Sequence, residues 1–211
     1  MTDQVTRHKI IPVAVVDDAN DAVPLALALA AGGLPLLELT LRTDAALEAI
    51  KRIRHECPEL LVGAGTVLSP AQVQAVHAAG AQFALSPGLN PTVVREAREL
   101  GLFFIPGVLT PSEVESSLAL ECRLMKFFPA VPAGGVPMLQ ALAGPFGHTG
   151  AQFVPLGGVT AQNMGDFLRL SNVPAIGGSW ICERRLILEK RWNTITAQAA
   201  EAVAIASTLP R

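Results

Sequence analysis

The chain has 211 residues, half of them hydrophobic and only 16% charged, with a formal net charge of −2. At roughly 150 residues per domain the length favours one domain, and so low a charged share excludes a disordered or tail-like chain. With no basic excess, no tyrosine and two tryptophans, the sequence also lacks the footprint of a nucleic-acid binder.

Short β-type runs recur at residues 10–16, 34–41, 60–67, 82–85, 102–106, 124–128, 152–156 and 174–176. Each ends in Gly, Pro or Thr punctuation and is followed by a helical pattern. The helix starts are marked: Ser69-Pro70, Asn90-Pro91 and Thr110-Pro111 each place a capping side chain before a proline of the first turn. Glu113 completes a capping box with Thr110, and Thr43 and Thr160 are expected to open two more helices. Several of the strand runs are almost continuously apolar, as in a parallel sheet covered by helices. Eight strand–helix units predict a compact (β/α)8 TIM barrel, a single domain over residues 1–211 with a short N-terminal helical extension. An open doubly wound sheet ranks lower, because the first strand ends Val15-Val16-Asp17-Asp18 rather than in a Gly-rich turn.

In such a barrel the chemistry lies at the carboxyl ends of the strands. Within residues 36–42, period-two alternation turns Leu37, Leu39 and Leu41 towards the helices and Glu38, Thr40 and Arg42 towards the interior. Glu38 and Arg42 could form a buried ion pair, but a carboxylate at that end of a barrel reads more readily as a working group. Of only four lysines, Lys9, Lys51 and Lys190 have charged or polar neighbours and read as solvated surface residues. Lys126 stands inside the apolar run Leu124-Met125-Lys126-Phe127-Phe128, and a lysine is almost never buried unless paired. That placement suggests a Schiff-base nucleophile, which must be made neutral to attack a carbonyl. Desolvation and a nearby Arg42 would favour the neutral amine, whereas an ionised Glu38 would oppose it.

Two glycine pairs, Gly157-Gly158 and Gly177-Gly178, follow the seventh and eighth strands, where many barrels bind phosphate through backbone N–H groups and the start of a helix. Thr66, after Gly63-Ala64-Gly65, could hydrogen-bond a substrate oxygen. The four histidines show no metal-ligand spacing, so no metal is expected. The uncharged stretches are broken by Gly and Pro, the N-terminus has no apolar signal core, and three scattered cysteines make no disulfide framework. No membrane partner is therefore expected, and the cytoplasm is the default compartment.

Taken together, LLELTLRT (36–43), VGAGTVL (62–68), AQFALSPGLN (81–90), FFIPGVLTPSE (103–113), MKFFPA (125–130), GGV (134–136), LQALAGPFG (139–147), PLGGVTAQN (155–163) and IGGSW (176–180) resemble one family. It is that of the 2-keto-3-deoxy-6-phosphogluconate (KDPG) and 4-hydroxy-2-oxoglutarate (KHG) aldolases. The resemblance spans nearly the whole chain and implies a trimeric, cofactor-free class I aldolase of (β/α)8 architecture. It implies that Lys126 forms a Schiff base with pyruvate and that Glu38 is the general acid/base. Arg42 and Thr66 would hold the pyruvate carboxylate, and Pro87 and Phe128 would line the pocket. Gly157, Gly158, Gly177, Gly178 and Ser179 would hold the phosphate of the aldehyde part. The implied reaction is reversible cleavage of KDPG to pyruvate and glyceraldehyde 3-phosphate. The same chemistry on 4-hydroxy-2-oxoglutarate or 2-keto-3-deoxy-6-phosphogalactonate is the nearest alternative, and a phosphate-binding isomerase or epimerase without a Schiff base is a more distant one. Three features depart from the family pattern. Leu156 stands where relatives often carry threonine, which removes a hydroxyl near the substrate's polar chain. Val131 follows Ala130 where relatives often have glutamate. Asp17 and Asp18 end the first strand where some relatives have basic residues; they read as helix caps, and facing a phosphate they would repel it.

Overall fold

In a computed structural model, which describes residues 1–209, nine strands form two all-parallel sheets. The larger has the order β5 (Phe103–Ile105), β4 (Phe83–Leu85), β3 (Leu61–Gly65), β2 (Leu36–Thr40), β1 (Ile10–Ala14), β9 (Ile176–Gly178); the smaller has the order β6 (Gly107–Val108), β7 (Leu124–Phe127), β8 (Gln152–Pro155). All eight predicted runs carry strand, but β5 ends inside the fifth and a further short strand, β6, follows beyond its end. The break between the two falls at Pro106, which has no N–H to give to a ladder. Its carbonyl accepts from Lys126 N (2.8 Å), so the chain passes there from one sheet to the other. Between β8 and β9 no ladder forms. The architecture is thus α/β with a curled six-stranded parallel sheet and a three-stranded companion, not a single continuous eight-stranded ladder.

Helices α2 (Ala22–Ala31), α3 (Ala46–Glu56), α4 (Pro70–Ala78), α5 (Pro91–Glu99), α6 (Pro111–Ala119), α7 (Gly135–Phe146) and α8 (Met164–Leu168) join successive strands, and α9 (Arg184–Leu188) and α10 (Trp192–Ser207) follow the last one. The N-terminal helix α1 (Thr2–Thr6) precedes β1. The three Pro-led helix starts form as expected: Ser69, Asn90 and Thr110 accept from the backbone of Gln72, Thr92 and Glu113, and Glu113 returns the capping box. Thr43 and Thr160 do not cap. α3 begins at Ala46 without a side-chain cap while the Thr43 hydroxyl donates to Val16 O, and Asn163 Oδ1 takes the Thr160 N–H ahead of α8.

The core joins strand and helix faces through fully buried Phe83, Phe127, Phe153 and a large aliphatic set. Phe127 and Phe153 meet edge to face at 6.5 Å, a favoured aromatic geometry. All three cysteines are free. No helix of the described residues is long and apolar enough to cross a membrane.

Candidate active site

Strand register places the site. Val13 of β1, Glu38 of β2 and Gly63 of β3 lie side by side, and Lys126 of β7 lies between Gly107 of β6 and Val154 of β8. Across the space between the two sheets, Lys126 Nζ stands 3.7 Å from Glu38 Oε1. The Glu38 side chain is wholly buried and that of Lys126 is 7% exposed. Neither carboxylate oxygen of Glu38 has a hydrogen-bond partner among the described residues, and 3.7 Å is an ion-pair contact rather than a hydrogen bond. Burial pushes the Glu38 carboxyl above the ordinary glutamate range, against the opposing pull of the Lys126 charge. Lys126 Nζ also lies 5.2 Å from the centre of the Phe128 ring, within reach of a cation–π contact. A buried amine, a carboxylate with unused lone pairs and an aromatic wall can support attack on a carbonyl with proton transfer beside it.

The remaining expected residues are placed as follows. Arg42, two residues past β2, is exposed and forms none of the ion pairs among the described residues, so Glu38 pairs with Lys126 and not with Arg42. Thr66, directly after β3, has φ +59°, costly for a β-branched residue and a mark of a backbone held by its surroundings. Its hydroxyl makes no hydrogen bond among the described residues. Pro87 follows β4 against Gly107, where an added Cβ would come within 2.3 Å of the Pro87 carbonyl. Gly157 and Gly158 have φ +92° and +83°, and a Cβ on Gly157 would sit 3.2 Å from the Phe128 ring. Gly177 and Gly178 end the ladder with β1, and Ser179 follows, exposed. The helices expected after the glycine pairs do not begin there. A loop runs from Val159 to the five-residue α8, and a 3-10 turn (Trp180–Cys182) follows Ser179. Leu156 is buried with its side chain against Gly177, where a Cβ would meet it at 2.2 Å.

Two expectations are corrected by charge geometry. Asp18 does cap a short 3-10 turn, accepting from Asn20 N, but Asp17 caps nothing: its carboxylate forms a two-pronged pair with Arg184, from Nε at 2.7 Å and Nη2 at 2.5 Å. Lys51 and Lys190 are exposed as expected and pair with Glu48 and Asp21. Lys9 is half-buried, and its Nζ donates to the carbonyls of Ala206 (3.1 Å) and Leu209 (2.8 Å) at the C-terminal end of α10, where a cation meets unsatisfied carbonyls.

Three features of the site carry no side-chain signal that sequence reasoning used. An added Cβ at Gly65 would stand 2.0 Å from Glu38 Oε1, so this glycine makes the room for the carboxylate. The pair Gly63 and Gly65 could have shown it, since residues two apart on a strand share a face. Cys182 is buried near Glu38; burial, with Glu38 adding to it, pushes its thiol up to about 12, and its Sγ donates to Val13 O at 3.4 Å. Arg184 came from outside every quoted motif. A separate cavity of about 670 Å³, lined among others by Thr6, Gln152 and Val173, opens at the N-terminal ends of the strands and holds none of these groups.

Known proteins place this geometry in context. A family profile described as "KDPG and KHG aldolase" matches residues 1–198. The 2-dehydro-3-deoxy-phosphogluconate aldolase of Dickeya dadantii is 47% identical over 199 residues, 94% of this chain and 92% of its own. The KHG/KDPG aldolase of Escherichia coli K12 is 46% identical over 198 residues, again 94% and 92%. Among solved structures, the KDPG aldolase of Legionella pneumophila, with pyruvate captured as a covalent carbinolamine, aligns with a TM-score of 0.89 at 41% identity, covering 92% of this chain and 93% of its own. That of Zymomonas mobilis with 3-phosphoglycerate aligns at 0.87 and 39% identity, covering 96% and 95%.

Proposed function

The chain belongs to the KDPG and KHG aldolase family, and from that premise we propose that it is a class I aldolase whose Schiff base forms on Lys126. The observation that carries the reading is the buried Lys126–Glu38 pair, 3.7 Å apart, with neither carboxylate oxygen hydrogen-bonded among the described residues. Raised by burial, Glu38 is a stronger base towards its neighbour, and passing one proton from the ammonium to the carboxylate leaves an uncharged pair that a dry interior favours. The neutral amine attacks C2 of the 2-keto acid, its proton passing to the C2 oxygen, and the carbinolamine hydroxyl then takes the Glu38 proton and leaves as water, giving an iminium. Glu38, ionised again, takes the C4 hydroxyl proton. The C3–C4 bond breaks with its electron pair flowing into the iminium, giving an enamine and free aldehyde. Protonation of the enamine and hydrolysis release pyruvate and return the amine.

The other groups fit the two ends of such a substrate. Arg42 and the hydroxyl of Thr66, neither of them paired among the described residues, suit a pyruvate carboxylate. Pro87 and Phe128 give the pocket its apolar walls. Gly157, Gly158, Gly177, Gly178 and Ser179 suit the phosphate of glyceraldehyde 3-phosphate, through backbone N–H groups and a hydroxyl rather than through a helix start. The same reading takes the two sheets as arcs of one (β/α)8 barrel domain over residues 1–211. The approach of Glu38 to Lys126 from opposite sheets and the packing of Leu156 on Gly177 support closure. A cytoplasmic homotrimer completes it, with three free cysteines and the exposed apolar Leu27, Leu68 and Val131 in support.

A pyruvate assay coupled to lactate dehydrogenase, over phosphorylated and unphosphorylated 2-keto-3-deoxy acids, tests the assignment. Release of pyruvate from KDPG at the highest kcat/KM supports it, and no release from any acid overturns it. Leu156 favours 4-hydroxy-2-oxoglutarate as a second substrate, because this buried apolar side chain offers no hydrogen bond to select a longer polyhydroxy chain. Gly65→Ala is expected to lower kcat about a hundredfold, since the new Cβ must displace the Glu38 carboxylate and about 1 Å of misplacement costs that much. Overpacking should also cost about 1–3 kcal/mol of stability, read as a lowered Tm, whereas Gly88→Ala, with nothing within 4 Å of its Cβ, should show neither clash effect.

A further inference from the structure

The loop after β9 is pinned against β1. Pro12 and Gly178 are ladder partners, Cys182 Sγ donates to Val13 O at 3.4 Å, and the Trp180 ring covers Gly178, where a Cβ would meet it at 2.4 Å. This brings the start of α9 back over the end of β1, and there Arg184 grips Asp17 with two parallel N–H donors. The pair faces solvent at the carboxyl-end rim of these two strands, with side chains 55% and 30% exposed. Arg184 holds the Asp17 carboxyl below the usual range.

An unpaired aspartate past the end of β1, whose ladder partner β9 carries Gly177 and Gly178 with Ser179 after them, would repel an anion bound at that end of the two strands. The arginine cancels that charge, and it does so through only Nε and Nη2 of its five-donor fork. Nη1 makes no hydrogen bond among the described residues, and the carboxylate fixes the plane in which its donors point. The hydroxyl of Ser179, directly after Gly178 and exposed, likewise makes no hydrogen bond among the described residues.

We propose that Arg184, oriented by Asp17, is a specificity-determining residue that donates directly to a dianionic phosphate at the aldehyde end of the substrate. The inference rests on the aldolase reading above. It makes preference for phosphorylated over unphosphorylated 2-keto-3-deoxy acids a property of a residue outside the glycine turns.

The test compares KM and kcat of the full-length protein for KDPG and for its unphosphorylated analogue. Arg184→Ala is expected to raise KM for KDPG about ten- to hundredfold, the worth of a hydrogen bond between charged groups, with kcat little changed and a much smaller effect on the unphosphorylated acid. Arg184→Lys should restore part of the loss, and Arg185→Ala, whose side chain pairs with Glu189, should behave as wild type. In an Asp17→Ala background, removing Arg184 should still raise KM for KDPG at least tenfold, because direct donation does not depend on cancelling the aspartate. Equal changes for both acids overturn the proposal, and so does an Arg184→Ala substitution without effect in that background, which would leave the arginine a neutraliser only. A wild-type protein that releases pyruvate from neither acid overturns the aldolase reading itself, and this inference with it.

Discussion

Replacing Lys126 by arginine is expected to abolish pyruvate release, with a loss in kcat on the order of 10⁴–10⁶, as for other covalent nucleophiles. Arginine keeps a cation opposite Glu38 but forms no imine, so the substitution separates the nucleophile from the ion-pair partner. A role confined to balancing the Glu38 charge predicts survival of activity, as does an isomerase or epimerase that needs no imine. Lys126→Ala gives the same kinetic loss by a different route. It leaves Glu38 without its 3.7 Å partner, and a carboxyl already raised by burial answers by holding its proton. Circular dichroism of both variants checks that the fold persists. Single-turnover release of pyruvate from KDPG then measures the loss.

The second large effect belongs to Glu38. Glu38→Gln is expected to lower kcat about 10²- to 10⁴-fold, the usual worth of a general acid/base, while Lys126 still condenses with pyruvate. The pH profile carries the sharper signature. The carboxylate accepts the C4 hydroxyl proton only when ionised, so activity falls as pH falls through the Glu38 pKa. Burial places that pKa above the ordinary glutamate value of 4.5, so the acid limb of kcat lies at higher pH than an exposed glutamate would give. The glutamine variant should lose this limb. A wild-type profile whose acid limb falls at or below the ordinary glutamate value, or a glutamine variant that keeps the limb, assigns the proton transfer to another group.

Much of this is legible in the sequence, and the parts that are not share a cause. The Pro-led helix starts could be placed because capping is local: Thr110 and Glu113 need only each other. Lys126 stood out because burying a lysine in an apolar strand is too costly to be incidental, and Glu38 because strand alternation turned it inward. Their 3.7 Å approach needs the sheets to face each other, which no local rule supplies. Gly65 reads in the sequence only as a strand end, because its contribution is the absence of a side chain next to Glu38. Asp17 reads as a cap because its partner, Arg184, lies 167 positions away. Lys9 reads as a surface residue because the carbonyls it meets belong to the far end of the chain. Thr43 and Thr160 show the reverse failure: the right residue type stands near a helix start, but the Val16 carbonyl takes the Thr43 hydroxyl and Asn163 Oδ1 takes the Thr160 N–H.

Borohydride reduction in the presence of pyruvate, followed by peptide mapping, tests the Schiff base most directly. The expected result is one stable adduct, on Lys126 within the MKFFPA segment, absent from the Lys126→Arg variant. No adduct, or an adduct confined to Lys9, Lys51 or Lys190, would contradict the mechanism.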